Sequence, residues 1–568
     1  MRGIGLGIDP FQTLFYVNGG LYTYYGNQQN PDAVDSLLPE GRGYSADLPW
    51  KKFDYAQSNT PEGYTIRPAA GTYAGSDFYY PEASYAIAVS PQIPRSVTFQ
   101  TYNAVRVAFF GNNTVGEQVW TGLILDGSAV GTNRGVEIGG TSPVESVTLN
   151  NCEITGVDQY AIYSAANQGV SIYLNNIDIA GNFDYAAILH NQAGKSSESE
   201  FKMTNSRIDC TSDNPINDYL LWNGAASTTK QFDYDVTYDR NDIAISIGAT
   251  TALFDVIRAF EANSYTFTNN TCAVSSTTID KTVELLKPIG KSGYRISNVE
   301  IEKNLVAFGC GTGFALVVGG DPDGLAYTDK GTLSDNVVVG EYFATRTPHG
   351  QTCGRSEAGD EYLIKGGIST DIYVGFLMSM GHSQSTNIIE NCLAVDCYGS
   401  SYYAKGNTDA LIQNNRAVVT TKYTQRNQAV LSATAQDDGT IRNVATTFDG
   451  NVVTVEGANA GTDWFALAGN TVTPAGTNEA TWTNNVYNVP DSLSLSSMMF
   501  VIDGSYVSGT DWLAAFPTDT INFKTSAQIQ EIIDDAYAEV EAKKAAIGSG
   551  SSYWQDNQTW GDSLYWLE

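Results

Sequence analysis

The stretch Val147-Thr-Leu-Asn-Asn-Cys-Glu-Ile154 is echoed by Ile172-Tyr-Leu-Asn-Asn-Ile-Asp-Ile179 and again by Phe201-Lys-Met-Thr-Asn-Ser-Arg-Ile208. Each is a short run with alternate apolar residues, a polar Asn corner and a second short run, the pattern of strand, turn and strand. The phrase returns at Phe267-Thr-Asn-Asn-Thr-Cys-Ala-Val274, Ile296-Ser-Asn-Val-Glu-Ile301, Ile388-Ile-Glu-Asn-Cys-Leu-Ala-Val395 and Leu411-Ile-Gln-Asn-Asn-Arg-Ala-Val418. Further copies stand at Phe448–Val453, Leu467–Val472 and Trp482–Tyr487. Asn151 and Asn176 are 25 residues apart, and Asn391 and Asn414 are 23 apart. A period in the low twenties falls within the solenoid window of ~20–50 residues and suits a coil of three short strands and three turns. Stacked coils put equivalent Asn side chains in a ladder that satisfies corner backbone groups, while Ile, Val and Leu fill the interior. The sequence therefore predicts an all-β parallel β-helix. Strands also alternate in a β-sandwich, and a leucine-rich repeat has a similar period. A sandwich, however, does not return Asn to the same corner, and the regular Leu framework of the repeat is missing.

The first hundred residues add a resemblance. Ser45-Ala-Asp-Leu-Pro-Trp-Lys-Lys-Phe-Asp-Tyr-Ala56, followed by Glu62-Gly-Tyr-Thr-Ile-Arg-Pro-Ala-Ala-Gly-Thr-Tyr73, resembles the opening of right-handed parallel β-helix proteins of the pectate-lyase-like superfamily. The resemblance implies a short capping helix around Pro49 and Trp50 and a first coil beginning at Gly63. Such a cap has a physical purpose, because an open solenoid end exposes unpaired N–H and C=O groups to other chains. The expected organisation is an N-terminal segment and cap over 1–95, a β-helix body over 96–500, and a C-terminal helix with a Trp-rich tail over 501–568.

At the C-terminal end the period changes. Thr525-x-x-Gln528 is a capping box, and Ile529, Ile532, Ile533, Ala536 and Val540 recur at helical spacing up to Gly548. Gly548-Ser-Gly-Ser-Ser552 reads as a linker, and Trp554, Trp560 and Trp566 follow six apart. So aromatic an end is expected to pack on a neighbour, which makes Ile529, Ile533 and the three Trp the candidate oligomer contacts.

The chain has 568 residues, with 31 Lys+Arg against 62 Asp+Glu, a formal charge of −31. Only 16% of residues are charged and 42% are hydrophobic, so the acidity comes from scarce cations and the chain is not of a disordered class. This charge disfavours nucleic acid and anionic membrane surfaces as partners. No stretch approaches the ~18 consecutive apolar residues of a membrane span. Seven cysteines without a CxxC pair read as buried free thiols. The N-terminus reaches Asp9 and Pro10 before any apolar run, so synthesis without a secretory signal is expected.

Chemistry is less sharply marked. His190, His349 and His382 are isolated, and no triad, zinc, phosphate-loop or GxSxG motif occurs. In the run Phe232–Asp242, alternation puts Asp233, Asp235 and Asp239 on one face, a carboxylate row able to take calcium or act on sugar. The run His349–Glu361 with Lys365 gathers His, Arg and carboxylates, with Glu357, Asp360 and Lys365 as candidates. No cofactor is required, and calcium is the one cation hinted at by the Asp/Gly run Asp321–Gly324. Trp222, Tyr398, Tyr402 and Tyr403 suit sugar stacking if they point outward, since a ring face with a hydroxyl rim matches a pyranose.

A β-helix body with a C-terminal helix and an aromatic tail resembles bacteriophage tailspikes and tail fibres. That resemblance implies a homotrimeric virion subunit, placed in the tail beside other tail proteins and bound to host surface polysaccharide, with depolymerase activity as a further expectation. A free polysaccharide lyase or glycoside hydrolase and a bacterial surface adhesin are the alternatives; both need export. The expected outcome of multi-angle light scattering is a trimer mass, and deletion of residues 549–568 is expected to lower it. A stable full-length monomer would count against the spike.

Overall fold

The computed structural model describes Tyr22–Tyr25 and then, from Tyr55 to Gly548, the strands, most of the corners joining them and two helices. Residues 1–21, 26–54 and 549–568, together with internal stretches such as 225–233, 321–327, 355–359, 435–445 and 472–479, lie outside the described residues. The proposed capping helix at Pro49 and Trp50, the tail tryptophans and the Asp321–Gly324 run fall there.

The alternating runs form a right-handed parallel β-helix. Each coil lays one short strand in each of three parallel sheets, and the chain forms two compact units, Met1–Thr237 and Tyr238–Glu568. In the first unit, Val144–Asn150, Glu153–Thr155 and Val157–Ser164 make one coil. They pair strand for strand with Ser171–Asn175, Asp178–Asn182 and Ile188–Asn191 of the next. In the second unit, Ile296–Glu302, Leu305–Gly309 and Thr312–Val318 pair in the same way with Thr328–Ser334, Val337–Gly340 and Thr347–Cys353. Stacking starts earlier than residue 96, since Thr65–Pro68 and Gly71–Tyr73 already pair with later coils. It also runs past 500, because Thr520–Lys524 pairs with Val486–Pro490.

The Asn corner between the first and second sheets has two positions. The first is left-handed: Asn151, Asn176, Asn205, Asn269, Asn391, Asn414 and Asn484 all have φ between +50° and +57°. Asn tolerates this region better than most residues because its short side chain bonds locally. The second position points inward, and in the C-terminal unit it is often a second Asn. Asn241, Asn270, Asn304 and Asn336 are buried and linked in series. Asn304 Oδ1 accepts the Asn270 backbone N–H at 2.9 Å and Nδ2 at 3.1 Å, while Asn304 Nδ2 donates to Phe267 O at 2.8 Å and Asn336 Oδ1 at 2.9 Å. A second ladder, Asn415, Asn451 and Asn485, ends on Asp519.

Two of the quoted phrases are not such corners. Asn298 of Ile296–Ile301 lies within a first-sheet strand, and Leu467–Val472 supplies the third-sheet strand Ala468–Thr471. The coil is also longer than the low twenties, because the corner residue recurs after 23 residues from Asn391 to Asn414 but after 36 from Asn414 to Gly450. The strand register stays intact across this longer coil, with Ile412 against Phe448 and Ala417 against Val453.

The bore is filled by aligned rows. Phe267, Ile301, Leu333, Ile364, Ile389, Ile412, Phe448 and Trp482 stack one per coil, all buried. Each such side chain contributes about 1.5–3 kcal/mol. The C-terminal end is closed by helix α1, Gly509–Ala515, whose capping box is Ser508 with Asp511. Its Trp512 is buried against Phe500, Trp482 and Tyr487, and the indole N–H donates to Asp519 Oδ2 at 3.1 Å. The same carboxylate thus ends the ladder and anchors the plug.

Helix α2, Ser526–Gly548, starts from the expected box, with Gln528 Oε1 accepting the Thr525 N–H at 3.0 Å. It runs back along the outside of the second sheet. Ile529, Ile533, Ala536 and Val540 are buried against Leu305, Val337, Ile368, Leu393, Val395 and Val418. Ile529 and Ile533, expected to meet another subunit, therefore spend their apolar surface on their own chain. The physical reason is that these second-sheet strands are apolar on both faces and need a cover.

Replacing Asn304 by Ala strands the Asn270 N–H and the Phe267 carbonyl, two buried groups costing ~1–3 kcal/mol each. Guanidinium unfolding is expected to show a loss of about 2–5 kcal/mol, whereas Lys303→Ala at the exposed neighbouring position should change stability by less than about 0.5 kcal/mol.

Candidate functional site

The predicted residues separate in space. Asp235 and Asp239 are half-buried on the outer side of the strand Tyr234–Asp239, whose Tyr234, Val236 and Tyr238 point inward as alternation requires; Asp233 lies outside the described residues. Asp239 is engaged at the corner, accepting from Thr268 Oγ1 at 3.0 Å and Asn269 Nδ2 at 2.9 Å and pairing with Arg240. Asp360 is buried in an ion pair with Arg295 and accepts the Tyr362 hydroxyl at 3.2 Å. Lys365 lies exposed on the first sheet, 3.6 Å from Glu390, and His349 is on a third-sheet strand. Glu357 lies outside the described residues. Ion pairing and sheet placement thus disperse the His349–Lys365 group, which is no single cluster. His349 is packed between Phe314 and Tyr373, and burial followed by the nearby Lys405 charge pushes its pKa down to about 4, so it is neutral at pH 7. Among the described residues no three His, Cys, Asp or Glu side chains gather as metal ligands.

The four sugar-stacking candidates fall in different settings. Tyr402 is wholly buried, stacked on Phe376 at 5.1 Å, with its hydroxyl 2.7 and 2.8 Å from the Cys392 and Arg416 carbonyls. It is a core residue, because its strand position faces the bore. Tyr398 is also fully buried, its hydroxyl donating to Glu341 O at 3.2 Å. Trp222 is half-buried in the first unit with Tyr219 at 4.2 Å, in a patch that includes Tyr160, Tyr163 and Tyr185. Tyr403 is half-buried on the outside of the third sheet, its hydroxyl 2.7 Å from Thr434 Oγ1.

Tyr398 and Tyr403 lead to a cluster in the C-terminal unit that the motif search missed. Its residues follow second-sheet strands at the corner towards the third sheet. Glu341 and Tyr342 follow Val337–Gly340, Asp371 and Tyr373 follow Ile368–Thr370, and Asp396 and Tyr398 follow Leu393–Val395. Thr420 to Tyr423 follow Arg416–Val419. Tyr342 and Tyr423 are both half-buried and stack face to face, 4.6 Å apart with ring planes at 3°, over the edge of Tyr398 at 4.8 and 6.0 Å. Asp371 fixes this shelf. Its Oδ1 accepts the Tyr423 hydroxyl at 2.8 Å and the Lys422 ammonium at 2.7 Å, and its Oδ2 accepts Thr370 Oγ1 at 2.9 Å. Burial, reinforced by Asp371, raises the Tyr423 phenol well above its ordinary range, so it remains a donor.

Asp396 lies beside the shelf, 1% exposed. Its Oδ1 accepts the Thr420 N–H at 2.7 Å and its Oδ2 accepts the hydroxyl of Tyr537 from α2. Burial raises its pKa, and the bonds from Tyr537 and Thr420 oppose that rise. Burial also raises Glu341. The repeated Asp-x-Tyr at 371 and 396, 25 residues apart, was the readable signal for this corner.

A scan against protein-family models, a search of curated proteins and a search of solved structures each return no match for this chain.

A carboxyl group whose pKa is raised on folding stabilises the fold in its protonated form. That contribution is present below about pH 4, the ordinary carboxylate range, and is lost as pH rises through the raised value. Asp396, Glu341 and Asp519 share this direction. His349 acts in the opposite sense, because a lowered pKa costs stability as pH falls below its ordinary 6.5. The Asp396 contribution is therefore read as a difference: relative to Asp396→Asn, the wild type is expected to gain in thermal midpoint on mild acidification from neutrality, as scanning calorimetry of both across pH would show.

Proposed function

We propose that this chain is a glycan-binding β-helix, the body of a bacteriophage tailspike subunit, and that it holds host surface polysaccharide on the tyrosine shelf of its C-terminal unit. The stacked, half-exposed pair Tyr342 and Tyr423, rimmed by Glu341, Asp371 and Lys422, carries the reading. A flat ring surface bordered by hydrogen-bonding groups suits the apolar face and hydroxyl rim of a pyranose. The net charge of −31 and the carboxylates at this corner favour neutral or cation-bridged glycans over bare acidic ones.

Binding stands ahead of cleavage in this reading. A glycosidase needs one carboxyl group placed to protonate the leaving oxygen and a second across the bond. At this corner Asp396 is buried and both of its oxygens already accept hydrogen bonds. Tailspike placement and a homotrimer rest on the resemblance in the sequence, and the shelf supports only the sugar-binding part.

An array of bacterial surface polysaccharides is the direct test. The wild-type chain is expected to retain at least one, and Tyr342→Ala and Tyr423→Ala each to weaken that binding by about three- to tenfold, the worth of one aromatic stacking contact. Trp222→Ala, in the other unit, should leave it unchanged. Equal retention by both shelf variants would sink the assignment. Release of reducing ends from the retained polymer would add hydrolysis, and a new absorbance from an unsaturated sugar end would add lyase activity.

A further inference from the structure

We infer that Tyr537 of helix α2 is a positioning residue for the tyrosine shelf, so that the C-terminal helix sets the geometry of the binding corner. The inference rests on the sugar-binding reading and extends it to a segment 114 residues from Tyr423 in sequence.

The connection is a continuous series of short contacts. The Tyr537 hydroxyl donates to Asp396 Oδ2, and Asp396 Oδ1 accepts the Thr420 N–H at 2.7 Å. Thr420 opens the turn that carries the shelf, its Oγ1 accepting the Lys422 N–H at 3.1 Å. The other side of that turn is held by Glu456, which accepts the Thr421 N–H at 2.7 Å and Oγ1 at 2.9 Å. Lys422 and Tyr423 then meet Asp371, and Tyr423 lies flat on Tyr342. Thr420 to Tyr423 are thus held by three carboxylates, Asp396, Glu456 and Asp371, and the first of these is oriented by α2.

The chemistry at the node explains why a tyrosine serves there. A buried carboxylate accepts strong, short hydrogen bonds but is costly if an oxygen goes unpaired. Burial and the Asp396 charge hold the Tyr537 phenol protonated, so it donates throughout the neutral range. Phenylalanine would keep the packing of Tyr537 and remove only the donor. The rest of α2 would stay anchored through Lys543, which bonds Asp335 at 2.8 Å and the Gly366 carbonyl, and through Glu539 paired with Arg416.

The test is amide hydrogen exchange on the full chain, read at Thr420 and across α2, together with affinity for whichever array polysaccharide the wild type retains. Tyr537→Phe is expected to speed exchange at Thr420 by about three- to tenfold, leave α2 amides from Ile529 to Val540 protected, and weaken glycan binding severalfold. Lys543→Ala, which loosens the helix elsewhere, should leave Thr420 unchanged. Faster exchange at Thr420 with no polysaccharide retained by the wild type would uphold the coupling and remove the binding reading. Unchanged exchange at Thr420 in Tyr537→Phe, or an equal rise in Lys543→Ala, would overturn the inference.

Discussion

A corner amide buried inside a coil has no water to turn to, and in the C-terminal unit its partner is the amide side chain of the next coil. Asn suits this ladder because one side chain carries both donor and acceptor: the oxygen takes the backbone N–H behind it and the nitrogen reaches a carbonyl and the next Asn. Ser206 at the same place does both, its Oγ accepting the Ile177 N–H at 3.0 Å and donating to Thr204 O at 2.8 Å, but its single proton leaves none for the next coil, and Gly offers no side-chain group at all. Where the ladder lapses, other groups step in, as when Gln351 Nε2 lies 3.2 and 3.1 Å from the Asn336 and Ile368 carbonyls beside Gly367. Strand register depends on these corners, because each fixes where one sheet ends and the next begins. The second ladder ends on Asp519, which accepts from both the last Asn and Trp512, so the corner series and the aromatic plug share one carboxylate.

The second sheet shows the same economy at larger scale. Leu305-Val-Ala-Phe308, Val337-Val-Val339 and Leu393-Ala-Val395 have few polar residues on either face, which suits strands covered on both sides. Helix α2 is that cover. Its 23 residues span about 34 Å at ~1.5 Å each. The intervals from the strand Thr520–Lys524 back to Leu305–Gly309 span about the same length at ~4.8 Å each. The helix therefore matches the stack it straps, and its ion pairs with Asp335 and Arg416 add register to an otherwise greasy contact.

The fold was legible because its cause is local and repeated. A left-handed Asn between alternating runs leaves the same mark each time, even when inserted loops blur the period. Corners such as Arg240-Asn241 and Lys303-Asn304 escaped because the left-handed residue there is not Asn, and the inward Asn alone makes a weak phrase. The site was far less legible. Tyr398, Tyr402 and Tyr403 are near neighbours in sequence, yet whether each faces bore, corner or outer surface depends on a register that composition does not reveal. Charge clusters misled for a related reason. Asp360 and Lys365 lie close along the chain, but one is buried against Arg295 and the other is exposed on a sheet face. The shelf joins residues from four coils, and Tyr537 is 141 residues from the Asp396 it meets.

Asp396 also shows why acidity and packing belong to one account. A carboxylate buried in a chain of net charge −31 is unfavourable twice, through lost hydration and through the surrounding field. Asn at this position would accept the Thr420 N–H without either cost. What the carboxylate adds is bond strength, since charge-assisted hydrogen bonds are roughly twice as strong as neutral ones. Holding Thr420 from one side and Tyr537 from the other, it ties a surface turn to a helix that is itself pinned along the second sheet. Under the proposed coupling the strap adds to the hold that the coils give the shelf, and for the proposed sugar site a flat, preset ring pair would lose less entropy than a mobile turn.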